Sequence, residues 1–151
     1  MLCQTIILLV ELSAIGNLAL MRGLQVKFLC TGDKTGHAWS MMEVTLPKHA
    51  GPPPHDHPWD EAYYVTQGRV RFKLDSGDQL IQAGEFLYAP GGTLHGFQGD
   101  SEGPACMLIM DAPAHAEAFF RDVDREVKAP ADREKIPEIG RRNSIFFRMK
   151  Q

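Results

Sequence analysis

Little in this 151-residue chain directs it to a membrane, a nucleic acid or an oxidising compartment. Its three cysteines, Cys3, Cys30 and Cys106, are odd in number, widely spaced and outside any CxxC pattern. That argues against a disulfide framework and suits reduced thiols in the cytoplasm. Neither sign of charge dominates: the net charge is -3 and the isoelectric point is near 6.0. With no basic cluster to follow a phosphate backbone or rest on an anionic lipid surface, neither nucleic acid nor membrane is expected as a partner. Internal repeats and low-complexity tracts are also missing. One long apolar run spans residues 5–20, but no Lys or Arg precedes it and Glu11 interrupts it, so an export signal is not expected. Met21 is an alternative start. If the leading residues fold, their apolar surface needs cover from a sheet edge or a second subunit, so a homodimer is expected.

Glycine and proline, by contrast, are plentiful, with 14 and 10 copies that punctuate nearly every apolar segment. At 44% hydrophobic the chain can bury one full core, and it is too short for two typical domains. Alternation and turn residues predict an all-β chain with strands over 39–46, 80–81, 85–89, 95–98 and 105–110. A hairpin is expected from 62–66 and 69–74, joined at Gln67-Gly68. Helical patterning comes late, over 115–123 and 132–140 after Pro113 and Pro130, and the polar stretch 122–138 reads as a mobile tail. The expected division is an N-terminal extension 1–25, a barrel 26–112 and a helical tail 113–151.

The most informative residues are His55, His57 and Glu61 in GPPPHDHPWDEAYYVTQG and His95 in GEFLYAPGGTLHGF. Imidazole and carboxylate are what a divalent transition metal takes, so the expected site is mononuclear with these four as ligands. His55 and His57 are two apart, and in an extended strand both imidazoles face one side as a chelating pair. Pro52, Pro53 and Pro54 hold the approach extended. Pro90, Gly91 and Gly92 build a tight turn that aims His95 inward. Asp56 and Asp60, by the same parity, point away, and His37, His49 and His115 read as solvated side chains outside the site.

On these residues the chain resembles a single-domain cupin of the conserved-barrel type, close to the small quercetin dioxygenase-like cupins. The first cupin motif, G-x5-H-x-H-x3,4-E-x6-G, is matched at His55, His57, Glu61 and Gly68, with His49 where the leading glycine belongs. The second, G-x5-P-x-G-x2-H-x3-N, is matched at Gly84, Pro90, Gly92 and His95, with Gly99 in place of the asparagine. The resemblance implies a jelly-roll β-barrel with short C-terminal flanking helices and one divalent transition metal per chain. Iron, manganese, nickel, copper, cobalt and zinc all suit such a ligand set. It further implies that Glu61 serves both as ligand and as catalytic base.

Strand parity adds detail about the cavity. Val70, Phe72 and Leu74 share one face of 69–74 and Arg69, Arg71 and Lys73 the other, so the cations should face outward. A polyanion such as a sugar phosphate would want inward Arg or Lys. Tyr63 and Val65 fall beside Glu61, and Phe97 beside His95, and these three are the expected lining of an apolar substrate pocket. Two readings stay open: a dioxygenase acting on an aromatic or enolic small molecule, and a metal-containing binding or sensing module without turnover. A non-redox isomerase is a weaker third.

Overall fold

The computed structural model describes residues 14–18 and 23–148, which fold as two antiparallel sheets enclosing one core. The strands are β1 (Ala14–Leu18), β2 (Leu24–Cys30), β3 (Ser40–Leu46), β4 (His55–Asp56), β5 (Asp60–Gln67), β6 (Arg69–Leu74), β7 (Gly77–Gln82), β8 (Phe86–Ala89), β9 (His95–Gly99), β10 (Ala105–Ala112) and β11 (Phe146–Phe147). One sheet has the order β1-β2-β3-β10-β5-β8, the other β11-β4-β9-β6-β7. This is a jelly-roll arrangement in which period-two alternation supplies the core. In β3, for example, Ser40, Met42, Val44 and Leu46 are buried while the residues between them are only partly so. The strip Val70, Phe72 faces inward and Arg69 and Lys73 outward, as the alternation requires.

The hairpin expected at Gln67-Gly68 does not form. Strands β5 and β6 lie in different sheets: β5 pairs with β10 and β8, whereas β6 pairs with β7 across Asp75-Ser76 and with β9. Gly68, at a φ of 71°, carries the chain from one sheet to the other, and a side chain there would meet Ser101 Oγ and Ala105. A two-residue junction between alternating segments therefore marks a sheet crossing here, which alternation alone does not distinguish from a turn.

Two helices follow the barrel, α1 (Ala116–Glu126) and α2 (Ile136–Arg142), the second led by a 3-10 segment over Pro130–Lys135. The stretch 122–138, expected to be mobile, is instead structured. Ala116, Phe119 and Val123 make one apolar face of α1 that packs on the core. On its polar side, Arg142 bridges Asp122 and Glu126, both also held by Arg125. Strand β1 pairs with β2 at the edge of the larger sheet, so part of the apolar N-terminal run is edge cover, while 1–13 and 19–22, including Cys3, lie outside the described residues. Cys30 and Cys106 are free thiols.

Asp111 connects barrel and helix. It ends the inward row Ala105, Met107, Ile109 of β10 and is fully buried, which would be costly without partners. The Ser40 hydroxyl donates to its carboxylate, as do the backbone N–H groups of His115 (2.6 Å) and Ala116 (2.8 Å) at the start of α1. Asp111 thus caps α1 from outside the helix. Asp111→Ala is expected to lower stability by about 2–4 kcal/mol, read from the urea midpoint, because three donors, two of them buried, lose their acceptor.

Candidate metal centre

The three histidines come together because neighbouring strands present them. His55 on β4 is the register partner of His95 on β9, with ring centroids 4.5 Å apart, and His57 follows one residue after β4. One ring nitrogen from each of His55, His57 and His95 lies within 4.8 Å of the others, and all three are buried. Glu61, the second residue of β5, reaches in from the opposite sheet, its Oε2 3.2 Å from His57 Nε2 and 3.2 Å from His95 Nε2. The turn expected before His95 ties the two motifs together. Gly92 N–H donates to the His57 carbonyl at 2.7 Å, and a Cβ on Gly91 would stand 2.2 Å from the Pro58 carbonyl oxygen.

The protonation pattern decides what the cluster can hold. Each Nδ1 faces a backbone carbonyl: His55 to Pro53 (2.9 Å), His57 to Trp59 (3.0 Å) and His95 to Thr93 (2.8 Å). A carbonyl only accepts, so each Nδ1 carries a hydrogen, and whenever a ring is neutral its Nε2 lone pair points inward. With the rings neutral, three lone pairs and a carboxylate converge in a buried place, an arrangement that suits a cation at its centre. Among the described residues, buried His57 Nε2 has no hydrogen-bond partner: Glu61 is near enough, but the alignment is wrong. The donor set fits a divalent transition metal.

Charge states agree. Burial, reinforced by the neighbouring His95, pushes the His55 imidazole down to about 4, so it is a neutral base at ordinary pH. Burial alone would raise the Glu61 pKa, but the imidazoles of His57 and His95, each 3.2 Å from its Oε2, hold it well below the usual carboxylate range. For His95 burial works downward and is outweighed by Glu61, which lifts it above 6.5. The Tyr63 hydroxyl donates to Glu61 Oε2, and burial beside that carboxylate pushes the phenol well above its normal range, so it stays a donor.

Residues 42–111 match the family model of the cupin domain. That stretch carries a cupin domain. Solved structures share its fold: the polyketide cyclase RemF of Streptomyces resistomycificus aligns with a TM-score of 0.54 at 23% identity, over 59% of this chain and 64% of that one, under two thirds of its length. A cupin-superfamily sugar phosphate isomerase from Silicibacter pomeroyi gives 0.54 at 27% identity over 66% of both chains. A predicted oxalate decarboxylase from Thermotoga maritima gives 0.58 at 20% identity over 68% and 91%. No curated protein sequence matches the chain.

The two departures from the cupin motifs have local causes. His49, in the leading glycine's place, keeps a left-handed backbone at a φ of 64°. Gly99, in the asparagine's place, lies so close to strand β3's exit that a Cβ would be 2.5 Å from the Pro47 carbonyl oxygen. Neither position touches the imidazole cluster. His37, His49 and His115 are exposed, while Asp56 pairs with Arg148 and Asp60 accepts from Gly91 N–H.

Beside the cluster lies a cavity open to the centres of water-sized molecules over about 40 Å³, room for roughly three waters. His55, His57 and Glu61 form its polar end. Of the expected lining residues, Phe97 borders it, whereas Tyr63 and Val65 sit in the fully buried core beneath, Tyr63 packing edge-on to Phe72 and Phe97. The rest of the wall is apolar and comes from Leu24, Met42, Val44, Pro52 and Ile109, and from Ala116, Phe119, Phe120, Ile145 and Phe147 beyond the barrel. Sequence reasoning missed this last group; the apolar triplet Ile145, Phe146, Phe147 in an otherwise polar tail was its signal.

Trp59 also escaped notice. Its ring stacks on His57 at 4.2 Å and 6°, and its carbonyl holds His57 Nδ1, so one residue fixes the imidazole by two contacts. Titration with Co(II) or Cu(II) is expected to quench tryptophan emission, and Trp59→Phe to remove most of that response; equal quenching in the variant, through Trp39, would contradict it.

Proposed function

We propose that His55, His57, His95 and Glu61 hold one divalent transition metal per chain, and that the loaded protein is a dioxygenase acting on a small enolic molecule; the aromatic alternative expected from the sequence exceeds the cavity's room of about 40 Å³. The observation that carries this reading is the convergence of three inward Nε2 lone pairs and a charged carboxylate at one end of an otherwise apolar cavity. A metal there supplies Lewis acidity and, if redox-active, electron exchange with dioxygen. The chain's own residues do the rest. Tyr63 holds Glu61 in place, the backbone carbonyls fix the ring orientations, and the aliphatic and aromatic walls exclude water. Such walls favour a ligand whose polar atoms are confined to the end that meets the metal.

Oxygen uptake with small open-chain enolic chelators, on protein of known metal content, tests this. Turnover with at least one such compound is the expected result; none with iron, manganese, nickel or copper fully loaded would favour the binding-module reading. One observation favours that second reading: Glu61 is held strongly ionised, which makes it a better ligand than proton acceptor. A sugar phosphate isomerase activity, suggested by the Silicibacter pomeroyi relative's name, is disfavoured because among the described residues no Arg or Lys lines the cavity.

Metal affinity should depend on pH with a definite sign. Because Glu61 raises the His95 pKa above 6.5, a proton on His95 must leave as metal enters. Apparent affinity is therefore expected to fall as pH drops through the raised His95 pKa, up to about tenfold per unit. His55, at about 4, adds nothing to this slope until more acid pH. A competition titration with a chromophoric chelator between pH 8 and 5 reads the slope; a flat profile would contradict it.

We also propose that the chain pairs with a second copy and works in a reducing compartment. Phe86 and Tyr88 of the edge strand β8, with Tyr64 and Met110 beside them, leave a large apolar area exposed on the outer face of the larger sheet. Among the described residues no helix is long and apolar enough to cross a membrane. Light scattering at micromolar concentration is expected to give the dimer mass, and a monomer would overturn the pairing.

A further inference from the structure

The cavity wall is not made by the barrel alone. After α2 the chain returns across the barrel mouth, and β11 pairs with the strand that carries the first ligand, Phe147 in register with His55 and Phe146 with Asp56. The return is fastened beyond the pairing: Arg148 N–H donates to the Pro54 carbonyl at 2.8 Å, and its guanidinium meets the Asp56 carboxylate at 2.7 Å. Behind it α2 leaves no slack, since a Cβ on Gly140 would lie 2.8 Å from both the Ile145 carbonyl oxygen and the Phe147 ring. The outcome is that Phe147 is set 5.5 Å from the His55 ring and 5.9 Å from Phe119, bordering the cavity together with Ile145.

We propose that Phe147, held there by the β11 return, is a specificity-determining residue that limits ligands of the centre to small chelating molecules. This rests on the reading of the site as a metal centre with a free coordination position. With water-sized room of only about 40 Å³, two or three heavy atoms fit beside the imidazoles while a ring does not. Deleting one aromatic ring from an apolar wall opens space of the order that accepts benzene, about 150 Å³ in engineered cavities. Because the surface beyond the donor atoms is aliphatic and aromatic, the enlarged space favours an apolar ring over a polar group. Phe147 itself coordinates nothing, so its removal changes the size accepted and not the donor set.

The test uses two probes with one chelating head and different bodies, acetohydroxamate and benzohydroxamate, titrated into the Co(II)-loaded full chain and followed by the cobalt visible spectrum. Wild type is expected to prefer acetohydroxamate by at least about tenfold, and Phe147→Ala to gain about tenfold or more for benzohydroxamate while acetohydroxamate changes by less than about threefold. Ile145→Ala, on the same wall, is expected to give a smaller gain in the same direction and serves if Phe147→Ala does not fold. Cobalt stoichiometry, measured on each variant, must remain that of wild type. An unchanged preference in a variant that still binds cobalt, or a wild type that takes both probes equally, would overturn the inference alone. Cobalt-loaded wild type that takes neither probe would remove the free-position reading as well.

Discussion

His57→Ala is expected to release most of the bound metal, and His55→Ala to do the same. Four-ligand sites bind divalent metal with about 10–16 kcal/mol at neutral pH, so one ligand accounts for on the order of 3 kcal/mol, or about two powers of ten in affinity. The loss should exceed that average for His57, whose Nε2 is buried without a hydrogen bond and whose ring is already fixed by Trp59. The matching controls are His49→Ala and His115→Ala, both exposed, which should leave metal content unchanged. Metal analysis after dialysis against a weak chelator reads the difference. Full occupancy in His57→Ala would remove that residue from the ligand set.

The second large effect is expected at Glu61. Glu61→Gln keeps a carbonyl oxygen but loses the charge that balances a divalent ion, so affinity should fall and be partly recovered by excess metal. If Glu61 also accepts a substrate proton, turnover at saturating metal should drop by roughly 10²–10⁴. A loss of affinity with turnover preserved would assign it as ligand only. Tyr63→Phe separates orientation from charge: it removes the hydroxyl that donates to Glu61 Oε2 while leaving the buried ring to pack on Phe72 and Phe97. Outer-partner losses of this kind cost about 10–100-fold in affinity or activity, a smaller change than Glu61→Gln should give.

What the sequence made legible is what depends on spacing along one strand. His55 and His57 are two apart, Glu61 and Tyr63 are two apart, and parity alone puts each pair on the core side, where the structure has them. Pairing between strands was less accessible. The step at Gly68 reads as a hairpin from its neighbours, and only the partners of β5 and β6 in separate sheets reveal a crossing. Least visible was the cavity wall, because Phe147 meets His55 through a pairing fastened by Arg148 and Asp56, which are 92 residues apart. Tyr63 and Val65 were placed on the correct face, but at a depth below the cavity that parity does not encode.

The most direct test of the account is the metal itself, determined on protein purified without a histidine tag and examined by X-ray absorption. One transition-metal ion per chain, with multiple scattering from three imidazoles, is the result expected. Protein that remains metal-free after reconstitution with iron, manganese, cobalt, nickel, copper and zinc in turn, yet is folded, would contradict it.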